Sequence, residues 1–379
     1  MAGCLFQQPG LSGCRGAGDN TCAGSRHVAR PEGLSIATPD WNRRIVTTTT
    51  FCIYACGWAF SALPVCTATD ETGQQSVGGG SPVTAIAISP DGLAVTGSQS
   101  GLQIYEFRPR GPVASRLLMK TALTEIQVIR FSPDGKLLAV AGGTPAEAGV
   151  IEIFQWQTVT RNQSMNPLRM ECHADVIMDV AWSASGNRLV TAALDNTWQV
   201  LQFSGDASRL MSLRKIEGHS LGVMSVNYIS DELVLTASLD STIRLWNEST
   251  GTLLRTLKNH RSDVYSTSVR PPDKETVLPL LASVSKDRTV RLWQPTIGRM
   301  VRFVQLDSIP LAVQWLQNGS RLVVACQDGT IRFIDPETIE VRRSCQAASA
   351  RLWSMGVTRN GGNVLAGGAD GRLYVVPSR

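Results

Sequence analysis

Two stretches of the chain hold a histidine, a hydroxyl and an aspartate at matching intervals: His219, Thr236 and Asp240, then His260, Ser283 and Asp287. In both, the hydroxyl precedes the aspartate by four residues, and a tryptophan, Trp246 or Trp293, follows it by six. An Asp–His–Ser/Thr set is the equipment of a hydrolase, in which the imidazole takes the hydroxyl proton and the carboxylate holds the imidazole. That chemistry needs a hydroxyl open to substrate. Here each hydroxyl falls inside a short apolar strand, Leu233–Ser238 or Leu280–Ser285, followed by a tight turn at Asp240-Ser241 or Asp287-Arg288 and then a second strand ending in the tryptophan. The hydroxyl is therefore expected in the interior with no substrate access, and no catalytic residue is expected. Ser283-Val284-Ser285-Lys286 also fits an S-x-x-K pattern, but that nucleophile needs a helix, and this segment reads as strand and turn. No phosphate loop, H-E-x-x-H or G-x-S-x-G occurs. The nine cysteines include no C-x-x-C pair, and only four histidines are present, so no metal site and no cofactor are expected.

The elements that carry these residues recur along the chain. Ser89-Pro90-Asp91-Gly92 returns as Ser132-Pro133-Asp134-Gly135, with looser versions at Ser183–Gly186, Gln317–Gly319 and Arg359–Gly361. Each follows a short alternating strand and precedes a strand, a polar turn and another strand. The turn aspartates Asp195, Asp240, Asp287, Asp328 and Asp370 lie 45, 47, 41 and 42 residues apart. A period near 40–45 residues with period-2 alternation marks a β-propeller and excludes helical solenoids. Seven strand triplets fill 82–376, which gives seven blades. The composition agrees: 43% hydrophobic residues can bury a core, and 34 glycines supply turns. A net charge of +5 over 379 residues argues against a nucleic-acid binder. Cys172, Cys326 and Cys345 fall in apolar or strand-like surroundings and read as small core residues.

These residues resemble WD repeats. Gly218-His219 opens one unit and Leu245-Trp246-Asn247 closes it, while Asn259-His260 and Leu292-Trp293-Gln294 bound the next. The resemblance implies a structural tetrad of His219, Thr236, Asp240 and Trp246, and a second of His260, Ser283, Asp287 and Trp293. A third unit keeps His173, Thr191 and Asp195 but has Leu201 in place of the tryptophan. Later units keep only Asp328 and Asp370, and the first two have no tetrad. The fold expected is an all-β, seven-bladed WD-repeat β-propeller with a disordered or cleaved N-terminal segment.

In this fold the second residue of each inner strand lies near the mouth of the central channel: Thr84, Gln127, Met178, Met224, Tyr265, Leu311 and Trp353. Five consecutive blades thus set Met178, Met224, Tyr265, Leu311 and Trp353 there. They form either an exposed apolar arc of the kind that marks an interface or side chains turned inward to pack between blades. The first reading makes the protein a non-catalytic platform for protein partners. The rival is a small-ligand or catalytic propeller, which would need convergent polar groups at the mouth. Two segments depart from the repeat: Gly142–Gly149 lengthens a rim turn, and Pro271–Pro279 lengthens a connection on the opposite face.

The first 81 residues are of another kind. Residues 1–42 have no periodicity and read as disordered or absent from the mature protein. Arg43-Arg44 precede an uncharged run, 45–69, whose 13-residue apolar centre, Phe51–Leu63, suits a signal peptide better than a membrane span. Cys66-Thr67-Ala68 offers a cleavage site after Ala68. The alternatives are an uncleaved membrane anchor and a strand pair of the fold. Export or membrane association follows from the first two, and a cytoplasmic protein from the third. Residues 70–81 read as a linker, and 82–379 as the propeller. The last triplet lacks a following unit, so its outer strand must come from the N-terminal side; Leu63–Thr69 is the best candidate and Asp70–Val77 the poorer one.

Overall fold

A computed structural model describes residues 68–69, 75–106, 114–161, 166–204, 209–271, 278–316 and 318–379. The expectations for 1–42, for nearly all of 43–69 and for the centre of Pro271–Pro279 fall outside the described residues. The described chain is almost all strand, in seven antiparallel sheets, one per sequence repeat. Blade 4 is typical: inner Val223–Ser230, then Leu233–Ser238, Ile243–Asn247 and outer Leu253–Leu257, each paired with the next. The turns that join inner and second strands follow from local chemistry. Ser132 Oγ accepts from the Leu137 amide at 2.9 Å and donates to Asp134 at 2.6 Å, and Gly135 takes the left-handed conformation that closes the turn.

The core is not one cluster but seven, each between two consecutive blades. Alternation in each strand gives a sheet two apolar faces, and each face is covered only by the neighbouring blade. Blade 7 packs on blade 1 through Leu365, Leu373 and Val375 against Val83, Ile86, Ala94 and Tyr105, and the Val83 amide donates to Gly368 O at 3.2 Å. The ring is therefore closed.

The closing strand is Gln75–Gly78, which pairs with Arg372–Pro377 and puts Val77, 1% exposed, between blades 7 and 1. This corrects the preference for Leu63–Thr69. Of that segment only Ala68–Thr69 is described, and it pairs outside Gln75–Gly78 as a fifth strand. The closing strand lies after the expected cleavage point, so the ring does not depend on Leu63–Thr69. Gly142–Gly149 also differs from expectation. It lengthens both strands of a hairpin, Leu137–Thr144 and Ala148–Gln155, leaving a short turn whose Ala146 amide donates to Asp175 at 2.9 Å. A one-turn helix, Trp156–Thr160, was not expected from the sequence; its Trp156 indole donates to Asp91 of blade 1 at 3.2 Å.

Adjacent blades are also joined at their circumference. Arg214, Arg255, Arg302 and Arg343 occupy the same register on the outer strands of blades 3 to 6, opposite Val200, Leu245, Leu292 and Phe333. Each guanidinium reaches forward to backbone carbonyls at the end of the third strand of the next blade or just after it: Arg214 to Ser249 at 2.6 Å, Arg255 to Thr296 at 2.8 Å, Arg302 to Pro336 at 3.4 Å, and Arg343 to Pro377 at 2.8 Å.

Candidate functional site

The seven inner strands pack side by side around the ring. In six of them the pairing register slips at one residue, and it is the same residue each time: Gln127, Met178, Met224, Tyr265, Leu311 and Trp353. An extra residue on one strand is left out of the ladder and its side chain is re-aimed. Burial follows this geometry. Met178 is half-buried between buried Ile177 and Asp179, and Met224 between buried Val223 and Ser225. Trp353 sits likewise between Leu352 and Ser354. Tyr265 and Leu311 are also half-buried, so none of the five is a fully packed core residue. In blade 1, Thr84 has no such slip and turns its hydroxyl back to the carbonyls of Gly97 and Ile126. The arc is thus apolar or aromatic on blades 3 to 7 and polar on blades 1 and 2.

Charged groups flank the aromatic part of the arc. The Arg351 guanidinium lies 4.9 Å from the centre of the Trp353 ring, a cation–π contact. Lys286 pairs with Asp263 at 3.2 Å. Burial, reinforced by the Asp263 carboxylate, pushes the Tyr265 phenol above its ordinary range, so it stays a neutral donor.

The polar tetrads lie inside the blades. In blade 4 the Trp246 indole donates to Thr236 Oγ1 at 2.8 Å, that hydroxyl meets His219 Nε2 at 2.8 Å, and His219 Nδ1 meets Asp240 Oδ2 at 2.8 Å. Blade 5 repeats this with Trp293, Ser283, His260 and Asp287 at 2.8, 2.7 and 2.9 Å. The hydroxyl accepts the indole N–H and shares a hydrogen bond with one imidazole nitrogen, while the other nitrogen faces the carboxylate. Burial lowers the His260 pKa. Burial would raise the carboxyls of Asp240 and Asp287, but hydrogen bonds from the histidine and from Thr242 or Thr289 outweigh it and hold both well below the usual carboxylate range. Thr236 and Ser283 are completely buried, so these oxygens are closed to any substrate. Blade 3 keeps His173, Thr191 and Asp195, with His173 Nε2 2.8 Å from Thr191 Oγ1.

Sequence reasoning missed two parts of this network. One is the threonine two residues after each aspartate: Thr197, Thr242, Thr289 and Thr330 donate through Oγ1 to Asp195, Asp240, Asp287 and Asp328 at 2.6–2.7 Å. The repeated D-x-T was legible. The other is what replaces the tetrad elsewhere. In blade 6 the corresponding interior positions are Leu306, Val324 and Ile334, all buried in one apolar cluster, and Asp328 turns to Arg332 at 3.2 Å. In blade 7 they are Ala348, Ala366 and Val376, again buried together. Cys326 is buried, Cys172 and Cys345 are half-buried against core clusters, and all three are free thiols.

The comparisons with known proteins fit this architecture. The model of the WD domain, G-beta repeat, matches residues 166–200, 210–247 and 251–294, the blades that hold the tetrads. Three of the seven blades thus match WD repeats. A model of the anaphase-promoting complex subunit 4 WD40 domain matches 278–360. Among WD-repeat relatives, WD repeat-containing protein VIP3 of Arabidopsis thaliana is 27% identical over 151 residues, 38% of this chain and 45% of that protein. WD repeat-containing protein SL1-17 of Schistosoma mansoni is 27% identical over 181 residues, 46% of this chain and 58% of that protein. The chain thus spans about half the length of these relatives. WD-repeat proteins generally act as protein-interaction scaffolds.

Proposed function

We propose that this WD-repeat protein is a non-catalytic platform that binds protein partners through the channel-mouth arc of Met178, Met224, Tyr265, Leu311 and Trp353. The observation that carries the reading is the register slip repeated at this residue in six inner strands, which turns the side chain out of the blade ladder. A rigid ring presents such an arc with little ordering cost on binding. Tyr and Trp flanked by cations are residue types that dominate binding energy at interfaces. The match to a domain of a complex subunit supports the same reading. A small-ligand or catalytic site at the mouth would need convergent polar groups, whereas the arc supplies two thioethers, a phenol, an isobutyl group and an indole. The test is the pair Tyr265→Ala and Trp353→Ala in the full chain. Partners captured by the wild-type protein are expected to be lost, with melting changed by less than about 2 °C. Retained partners, or a large drop in melting, refute the assignment.

Export with cleavage after Ala68 belongs to the same proposal, and it leaves Gln75–Gly78 in the mature chain. Intact mass of the native protein from soluble, membrane and exported fractions decides it. A chain starting near Thr69 in the exported fraction is expected, and a full-length cytosolic chain rejects it.

A further inference from the structure

We propose that the outer edge of blade 5, Arg299–Gln305, is a second docking site, which takes an extended acidic segment of a partner protein as an added strand. Among the described residues, the outer strands of blades 3 to 6 end their sheets with one edge unpaired. Blade 7 shows that the architecture accepts a further strand, because Ala68–Thr69 pairs on the outside of Gln75–Gly78. An open edge recruits an extended chain through its main-chain groups. On blade 5 that strand reads Arg-Met-Val-Arg-Phe-Val-Gln, with no acidic residue and with Phe303 51% exposed.

At the Gln305 end a cavity of about 440 Å³ opens beside the strand, lined by Asn259, Arg261, Arg291, Phe303 and Gln305 above Asp287. The negative charge of Asp287 is already engaged by His260, Thr289, the Arg261 amide and Arg291. Arg291 is 7% exposed and lies 5.4 Å from the centre of the Phe303 ring. The Arg261 side chain is exposed and makes no hydrogen bond or ion pair among the described residues. The cavity therefore offers an unneutralised cation beside a buried one, a seat for a carboxylate. A strand of seven residues rises about 20 Å, so one partner segment reaches from this cavity to Arg299.

Two other occupants fit less well. Nucleic acid would need free cations along the circumference, but Arg214, Arg255, Arg302 and Arg343 already donate to carbonyls of the next blade. The chain's own residues 1–67 carry five arginines against three acidic residues, the wrong sign for this edge.

The probe is a labelled peptide of alternating Glu and Val, titrated into the full chain by fluorescence anisotropy. Controls are the Lys-for-Glu peptide, the same Glu-Val peptide N-methylated at alternate residues, and a thymidine oligonucleotide. Saturable binding of the Glu-Val peptide alone is expected, about tenfold weaker in Arg261→Ala and in Arg299→Ala, and unchanged in Trp353→Ala. Because the last variant alters only the mouth, failure here leaves the mouth reading intact, and the reverse. Equal binding of the N-methylated peptide, no effect of Arg261→Ala, or no binding at all overturns the proposal. Preferential binding of the oligonucleotide overturns it too, as does dimerisation abolished by Phe303→Glu or a cross-link from residues 1–67 to this strand.

Discussion

Replacing Thr236 by valine removes one oxygen and almost no volume, and the structure fixes what that oxygen does. It accepts the Trp246 indole N–H and hydrogen-bonds His219 Nε2, each at 2.8 Å. Thr236 is fully buried, Trp246 is 3% exposed and His219 is 7% exposed. Valine leaves no room for a compensating water, and His219 cannot turn without losing Asp240. Two buried polar atoms are orphaned at about 1–2.5 kcal/mol each, so the expected loss is about 2–5 kcal/mol. Over a ring of roughly 300 residues, with an unfolding entropy near 2.1 cal/mol/K per residue, this lowers Tm by about 3–8 °C. Calorimetry and urea unfolding measure it directly. A double-mutant cycle with Trp246→Phe sharpens the test. Phenylalanine has no N–H to orphan, so the double variant should lose about 1–2 kcal/mol less than the sum of the singles. Blade 6 supplies the converse: Val324→Thr sets a hydroxyl beside Leu306 and Ile334 and should cost about 1–3 kcal/mol. A Thr236→Val shift below about 1 °C, or strict additivity, refutes the account of the tetrad as a mutually satisfied set.

Three further outcomes follow from the geometry. A chain starting at Asp70 should unfold like the full protein, whereas one starting at Gly79 loses the closing strand and the buried Val77, at about 3 kcal/mol or more in the urea transition; equal stability of the two refutes the closure. Stability should fall on acidification. The depressed His260 makes the unfolded chain bind its proton first, so loss begins below about pH 6.5. The depressed Asp195, Asp240 and Asp287 contribute stability that is complete above an ordinary carboxylate pKa of about 4 and disappears as pH falls through their folded values. A urea midpoint that rises between pH 7 and 4 contradicts this. Gly329 holds the left-handed turn position (φ 82°), where an added Cβ would meet Ala348 O at 2.0 Å, so Gly329→Ala should cost at least about 2 kcal/mol. Arg288→Gly, at the equivalent turn position with φ 64°, should stay within about 1 kcal/mol, and urea unfolding compares the two.

Blade number and the polar tetrads were legible because their causes are local. Alternation, turn residues and the hydroxyl–Asp–Trp spacing all fall within one repeat, as do the positions of Tyr265 and Trp353. The closing strand was not legible because its reason to be a strand lies some 300 residues away: Gln75–Gly78 has a weak pattern of its own and is fixed by Arg372–Pro377. The apolar replacements in blades 6 and 7 were hidden for a different reason. Leu306, Val324 and Ile334 look like any core residues, and only the shared register shows that they stand where a histidine, a hydroxyl and a tryptophan stand elsewhere. The register slips at the mouth leave no composition signal, because an unpaired residue is spelled like a paired one.

The forward reach of Arg214, Arg255, Arg302 and Arg343 gives the ring a polarity. Each of these arginine links is donated by one blade and received by the next. The links run in sequence from blade 3 to blade 7. Opening at any of these four boundaries must therefore break a link of this kind, and local amide exchange reports it. The same polarity limits exchange of parts. A foreign blade inserted between blades 3 and 7 must bring both an arginine for its successor and a receptive turn for its predecessor.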